Sequence, residues 1–443
     1  ALKTYKADFQ TAILKADSVA LSTPYFSTPI LGKLTDKTSL DLAEREYAPQ
    51  FTSYEKRLKI KDLRPQMDYD GSFTLEGADF IGKGATGKPA KLLFKRESKV
   101  LFEVSAADFE MSPQQIVARG ASAVLRYSNG DSLSIQECFF TFNEKQQELR
   151  LAAAQRGTDY FPFVDSYFKL YCYAPVLTWK KGTSDPYFTF DVGTAQERKM
   201  ARFESMNYFD KALYNKFAGT GASNPFVVFA QLVDKQAKTL FTEGELANAL
   251  KKTIDQVKPL FVDMIAAGFL IADPIQKKIQ ISPKLLAYAA ATQGNGDYDN
   301  LLIVTDLRKV QSSTYATIEL EKQELLLRQV QQITLSEAQQ VRIFPDTSVV
   351  YMYQNRDIGF SGLLKAGKCE ILTRYAKFDY EKFLVNLLTT QAASFRVRPL
   401  RKEDGQDAIL VRSELKGLRG TLRIDAPENK AGKPNDNSQF PIL

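Results

Sequence analysis

Histidine is absent from all 443 residues. It is the only side chain whose unperturbed pKa lies near neutrality, and it is the usual general base, proton shuttle and zinc ligand. Its absence excludes a Ser-His-Asp or Cys-His nucleophile, a His-containing zinc or iron site and a proximal haem histidine. Carboxylate, lysine, tyrosine or arginine chemistry remains open, as does no chemistry at all. Cysteine is scarce too. Cys138, Cys172 and Cys369 are far apart, with no CxxC or clustered spacing, so neither a zinc knuckle nor a disulfide framework is supported. Cys138 and Cys172 lie in apolar runs, where a cysteine acts as a small core hydrophobe; the redox state of the three stays open. No stretch approaches about 18 uninterrupted apolar residues, which leaves no transmembrane helix. No charged-then-apolar segment opens the chain, and both ends read as cut points in a longer protein.

The length is sufficient for about two to four domains, and a 44% hydrophobic share excludes wholesale disorder. The 59 basic and 52 acidic residues leave +7 spread along the chain, a weak pointer to nucleic acid, whose binders concentrate charge on one face.

Residues 1–66 lack a steady period and read as an N-terminal helix, built on the amphipathic stretch Tyr5 to Leu21, plus a connecting arm. From 67 to 200 short apolar runs punctuated by glycine predict a β-rich region. Asn129-Gly130-Asp131 between Leu125-Arg126-Tyr127 and Leu133-Ser134-Ile135 is a hairpin turn signal. The aromatic stretch from Tyr160 to Tyr173, with Trp179, reads as a core edge in preference to a sugar-stacking platform. Residues 201–295 carry the clearest unit: a helix through Phe226 and Leu232, a Thr242/Glu245 capping box opening a second helix, and an apolar stripe from Val257 to Ile265. Phe269-Leu270-Ile271 and Ile279-Gln280-Ile281 then spell two strands. That order is the plan of a winged helix.

Between 296 and 423 apolar pairs start at Ile318, Leu325, Ile333, Val341, Val349 and Ile358, spaced 7, 8, 8, 8 and 9 residues apart. A helix would return every three or four, so this beat predicts strands, about three to each coil of a β-solenoid. It does so against the helix-forming composition of Glu319 to Gln332. Residues 424–443 are rich in Pro, Asn, Lys and Gly and read as a linker. The expected fold is β-rich α+β, with solenoid-like or sandwich-like regions flanking an inserted winged-helix module.

The candidate sites weigh lightly. The outer side of the third helix carries Asp255, Gln256, Lys258, Pro259 and Asp263, a poor face for a polyanion, although Lys277 and Lys278 in the wing turn could touch phosphate. Gly294 to Asn300 lacks the register of a calcium loop and reads as a domain-joining turn. Gly82 to Lys88 lacks Walker spacing and reads as a glycine turn. Arg356 and Asp357 with Lys365, Lys368 and Arg374 could serve a polysaccharide lyase on a solenoid face, though solvated charges are expected there anyway. No catalytic, cofactor-binding or metal-binding residue is assigned, and no cofactor.

Several segments resemble very large, uncharacterised proteins of Bacteroidota: Ser53 to Leu63 with Asp68 to Phe73, Asp165 to Lys169, Phe203 to Phe209, Asn355 to Phe360, and Ile424 to Lys430. Phe168 stands where the resemblance leads one to expect a histidine. The resemblance implies an internal segment of an exported, envelope-associated polypeptide at the cell envelope or outside it, and brings no activity with it. The expected function is therefore a non-catalytic scaffold packing on protein partners or on neighbouring segments of its own polypeptide. A glycan-binding or glycan-cleaving solenoid and a nucleic-acid binder acting through the winged helix are the alternatives.

Overall fold

The computed structural model describes residues 4–8, 10, 13–22, 29–37, 49–77, 79–85, 88–156, 159–182, 185–190, 195, 199–219, 224–273, 278–294, 296–397, 409–411, 415–434 and 439–443. Of these, 54% are strand and 14% helical, which makes the protein a β-rich α+β chain. No described helix is long and apolar enough to cross a membrane. The chain forms two compact units, the first holding Ala1–Ala154 and Thr178–Ser184, the second Gln155–Leu177, Asp185–Asp273 and Lys277–Leu443.

The first unit begins with strands where a helix is expected. Thr4–Asp8 pairs antiparallel with Ile13–Leu21, in register from Thr4↔Asp17 to Asp8↔Ile13. The helical reading fails for a local reason. Ile13–Leu21 pairs onward with Ile30–Lys37 through a register shift between Ala16 and Val19, with Ser18 at φ 54°. The bulge moves the buried positions from a spacing of two to a spacing of three, which imitates helical periodicity. Pairing then continues through Gln50–Ser53, Thr74–Glu76, Asp79–Lys83 and Asp108–Met111 to the long strand Gln115–Arg126. A second run climbs from Leu58–Arg64 through Met67–Gly71, Ala90–Arg96 and Lys99–Ala106 to the other half of that same strand. The hairpin Leu58–Arg64/Met67–Gly71 crosses the boundary expected at residue 66.

Gln115–Arg126 serves both runs because it bends at Gly120, whose φ of +57° is open to glycine at no steric cost. The buried faces of the two runs meet through aromatic rings, Tyr69 lying 5.2 Å from Phe80, and Phe94 packs 5.3 Å from Phe142 on the next strand, Ser132–Asn143, which pairs with Gln115–Arg126. Trp179, almost fully buried, packs 5.3 Å from Phe102, as a core residue should. The turn at Asn129-Gly130-Asp131 forms as expected, with Tyr127 N donating to Asp131 O at 2.9 Å. Gly82 lies in the strand Asp79–Lys83, while Thr86 and Gly87 fall outside the described residues.

The second unit repeats the device. One run passes from Phe163–Asp165 through Leu170–Tyr173, Met200–Ser205, Leu302–Asp306, Val330–Ser336 and Val341–Pro345 to the far half of Ile358–Ala366. The other passes from Tyr187–Thr189 through Thr314–Glu319, Glu324–Arg328 and Val349–Met352 to the near half of that strand. Gly362, at φ +131°, marks the bend, and a Cβ there would stand 2.2 Å from Phe344 O. All six apolar pairs of the roughly eight-residue beat start on strands, Glu324–Arg328 included, with only Leu320 of the first pair falling in the turn past Thr314–Glu319. Buried alternation overrides the helix-forming composition there. The beat arises because successive hairpins enter the two runs in turn, and every one of these pairings is antiparallel.

A helical module is inserted between the paired strands Met200–Ser205 and Leu302–Asp306. It comprises α1 (Lys211–Ala218), α2 (Pro225–Gln236), the short strand Leu240–Phe241, α3 (Glu243–Ala249), α4 (Ile254–Ala266), strands Leu270–Asp273 and Lys278–Ile281, and α5 (Pro283–Thr292). Lys278–Ile281 is the middle strand of three. Lys277 of the expected wing turn lies outside the described residues. Helix α4 starts no earlier than Ile254 and carries Pro259 in its second turn, where the proline has no N–H to give Asp255 O. Val257, Phe261 and Met264 form its buried stripe.

The capping box of α3 is complete: Thr242 Oγ1 accepts from Glu245 N at 3.2 Å, and Glu245 Oε2 accepts from Thr242 N at 2.7 Å. The Lys238 ammonium and then the Thr242 groups lower the Glu245 carboxyl from 4.5 to about 2. A carboxylate depressed in the folded state stabilises it above the unfolded pKa, and that contribution is lost as pH falls through the folded value. Amide protection in the first turn of α3 is therefore expected to fall between pH 4.5 and 2. Glu245→Gln, followed by hydrogen exchange, should remove that pH response.

Residues 424–434 are not a free linker. Ile424 is fully buried and its N–H donates to Phe383 O at 3.0 Å. Asp425 accepts from Gln339 Nε2 at 2.6 Å, and the Asp297 carboxylate accepts from Lys430 N and Ala431 N at 2.9 and 3.0 Å. The Pro/Asn/Gly composition forms the turns of a docked strap.

Candidate functional site

The densest polar chemistry in the second unit gathers around Asp299, inside the stretch expected to be a plain joining turn. Asn295 of that stretch lies outside the described residues. Asp299 is held locally by an Asx turn, its Oδ1 accepting from Leu301 N at 3.0 Å, and by its own N–H donating to Asn207 O at 3.0 Å. Its Oδ2 accepts from Ser205 Oγ at 2.6 Å and from Tyr380 Oη at 2.5 Å. Arg356 Nη1 donates to Ser205 Oγ at 3.2 Å and stands 3.9 Å from Asp299 Oδ2. The Arg356 guanidinium covers the Tyr380 ring at 3.7 Å, and the Lys430 ammonium lies 5.2 Å from the same ring.

The backbone positions these groups at a cost. Asn355 and Arg356 both take left-handed conformations, φ 56° and 72°, which non-glycine residues adopt only where surroundings enforce them. The enforcing bonds are Asn355 N to Tyr167 O at 3.1 Å and Tyr353 N to Asp357 O at 2.8 Å. Asp357 accepts from Tyr380 N at 3.0 Å and pairs with Lys377 at 3.1 Å. Segments distant in sequence thus gather here: Ser205 and Arg356 stand against the Asp299 carboxylate, the Tyr167 carbonyl holds the Asn355 turn, and Lys430 covers the Tyr380 ring.

Electrostatics fit a latch. Burial raises the Asp299 pKa, opposed by the hydrogen bonds from Ser205, Tyr380 and Leu301 and by the charge of Arg356. Burial, then the Asp299 charge, pushes the Tyr380 phenol up, and burial lowers the Lys430 ammonium. Asp299 Oδ2 takes two hydroxyl donors and Oδ1 takes the Leu301 N–H, which leaves one acceptor position, at Oδ1 of a fully buried carboxylate.

A second buried cluster went unnoticed in the sequence. Lys284, 2% exposed in the first turn of α5, donates to Tyr173 Oη at 2.6 Å and to Glu204 Oε2 at 3.2 Å. Burial works against its charge, but Glu204, Tyr288 and Tyr171 together outweigh it and raise its pKa. A cation at a helix N-terminus opposes the macrodipole, and Ser282-Pro283-Lys284 is where that conflict was legible.

The residues considered for a lyase do not assemble. Arg356 joins the Asp299 cluster and Asp357 turns to Lys377. Lys365 pairs with Glu370 at 3.1 Å, six residues and roughly 20 Å along the strand from Gly359. Lys368 sits beyond it in the hairpin turn, and Arg374 is exposed in mid-strand. Cys138 and Cys172 are buried, and burial holds the Cys138 thiol up at about 12. Among the described residues no three of His, Cys, Asp and Glu are placed to hold a metal ion. No family model, no curated protein and no solved structure matches this chain.

Proposed function

We propose that the chain is a non-catalytic structural segment of a large cell-envelope protein, packing on protein partners or on neighbouring parts of the same polypeptide. The observation that carries this reading is the use of the buried ionisable groups: Asp299, Arg356, Lys284 and Glu204 are spent on one another and on tyrosines, tying together stretches far apart in sequence. Sandwich-like layering is the form favoured for the β regions, because their strands pair antiparallel and bury alternate side chains. A solenoid would have to be built from the same antiparallel steps.

The helical module is read as a winged helix used for docking. Its element order and three-stranded sheet support that, and so does the exposed side of α4. That side shows Ile254 and Val262, 45% and 39% exposed, beside Asp255, Asp263 and the single cation Lys258. Exposed aliphatic residues flanked by carboxylates suit a protein surface better than phosphate.

The test is location combined with DNA retention. External protease on intact cells is expected to cleave the full-length protein, and a DNA column is expected not to retain it even at low salt. Protection in a cytosolic fraction, with retention that falls steeply as salt rises, would replace this reading with nucleic-acid binding.

A further inference from the structure

One cleft in the second unit has the makings of a ligand site that the scaffold reading does not use. It measures about 420 Å³ and lies where the hairpin turn Gly367-Lys368, the end of strand Leu384–Val397 and the closing residue Pro441 come together. That size falls within the ~300–1,000 Å³ of small-molecule sites, which are mostly apolar with a few fixed polar groups. Phe395, Val397, Leu422, Pro441 and Leu443 line it, and no Asp or Glu side chain does. The charged side chains in its lining are two exposed cations, Lys368 and Arg396, whose backbones are joined by Arg396 N donating to Lys368 O at 2.9 Å. Cys369, half-buried, completes the polar inventory.

This lining discriminates between ligands. A sugar or a nucleobase needs several directional donors and acceptors, which the cleft does not supply. An apolar trough with two cations at its rim complements a molecule that is apolar along its length and negative at one end. We propose that the cleft binds a single acyl chain with an anionic head, the chain against Phe395, Val397 and Pro441 and the carboxylate between Lys368 and Arg396.

Cys369 reports occupancy from inside the site. Burial, then Glu370, lifts its thiol to about 11, so it reacts slowly with maleimide at neutral pH yet remains reachable, unlike buried Cys138 and Cys172. The experiment titrates the intact protein with dodecanoate below its micelle concentration, following maleimide modification of Cys369 and heat of binding. Dodecanoate should suppress modification, and affinity should rise roughly fourfold for each methylene between octanoate and dodecanoate. Dodecanol, lacking the charge, should bind about tenfold more weakly. The Lys368→Gln/Arg396→Gln variant should erase the difference between acid and alcohol while leaving the thermal midpoint unchanged. Equal affinity for acid and alcohol, no protection of Cys369, or an undiminished preference for the acid in the double variant would each overturn the proposal.

Discussion

Asp299→Ala is expected to destabilise the second unit by about 3–5 kcal/mol, the usual consequence of removing one partner from a buried charged pair. The loss has identifiable parts. Arg356 keeps a mostly buried charge with no counter-ion, and Ser205, Tyr380 and the Leu301 N–H each lose their acceptor. Tyr380→Phe removes the donor to Asp299 and the weaker acceptor of Asn207 Nδ2 at 3.4 Å, and should cost about 1.5–3 kcal/mol. Because both changes touch the same bond, the double variant should cost less than the sum. Urea denaturation measures all three, and additivity would show that the cluster does not act as a unit. Asp299→Asn separates charge from shape. The folded state raises the Asp299 pKa, so it binds a proton more readily than the unfolded chain. Stability from protonation is then fully present below the unfolded pKa and lost as pH rises through the folded one. The asparagine variant should lack that pH dependence.

Lys284→Ala should rank second, toward the lower end of about 3–5 kcal/mol, because it leaves Glu204 buried without its nearest cation. Arg202, 3.8 Å from the other Glu204 oxygen and 39% exposed, offers partial compensation. The informative variant is Lys284→Met with Glu204→Leu. Replacing a buried pair by apolar residues of similar volume is often neutral or stabilising, so the double variant should recover most of the loss in thermal and urea melts. A double variant as unstable as Lys284→Ala would mean that Tyr173 and Tyr171, left without the ammonium, dominate the energetics.

How much of this was legible depended on how local each signal was. The Thr242/Glu245 capping box, the stripe Val257, Phe261 and Met264, and the turn at Gly130 each involve residues a few positions apart, and each forms as read. Tyr5 to Leu21 misled because one bulge at Ser18 gives a strand the spacing of a helix. The strap after Ile424 was invisible because its partners are remote: Gln339 lies 86 residues before Asp425, and Asp297 lies 133 before Lys430. Composition describes what a segment can do alone, and this segment is ordered by what it lies against. Asp299 is the sharpest instance. Gly, Asn and Asp are ordinary turn residues, and nothing in Asp297-Tyr298-Asp299 tells which carboxylate faces water and which faces Tyr380.

The two bent strands have a consequence for how the units come apart. Gln115–Arg126 and Ile358–Ala366 each belong to both runs of their unit, one run on each half, so displacing either strand breaks hydrogen bonds to both runs at once. A stack of hairpins could otherwise fray step by step from an end, as repeat arrays do. Here the outer hairpins of each run can still fray, but losing the shared strand opens both runs together. A single glycine in each unit, Gly120 or Gly362, is where that strand passes from one run to the other.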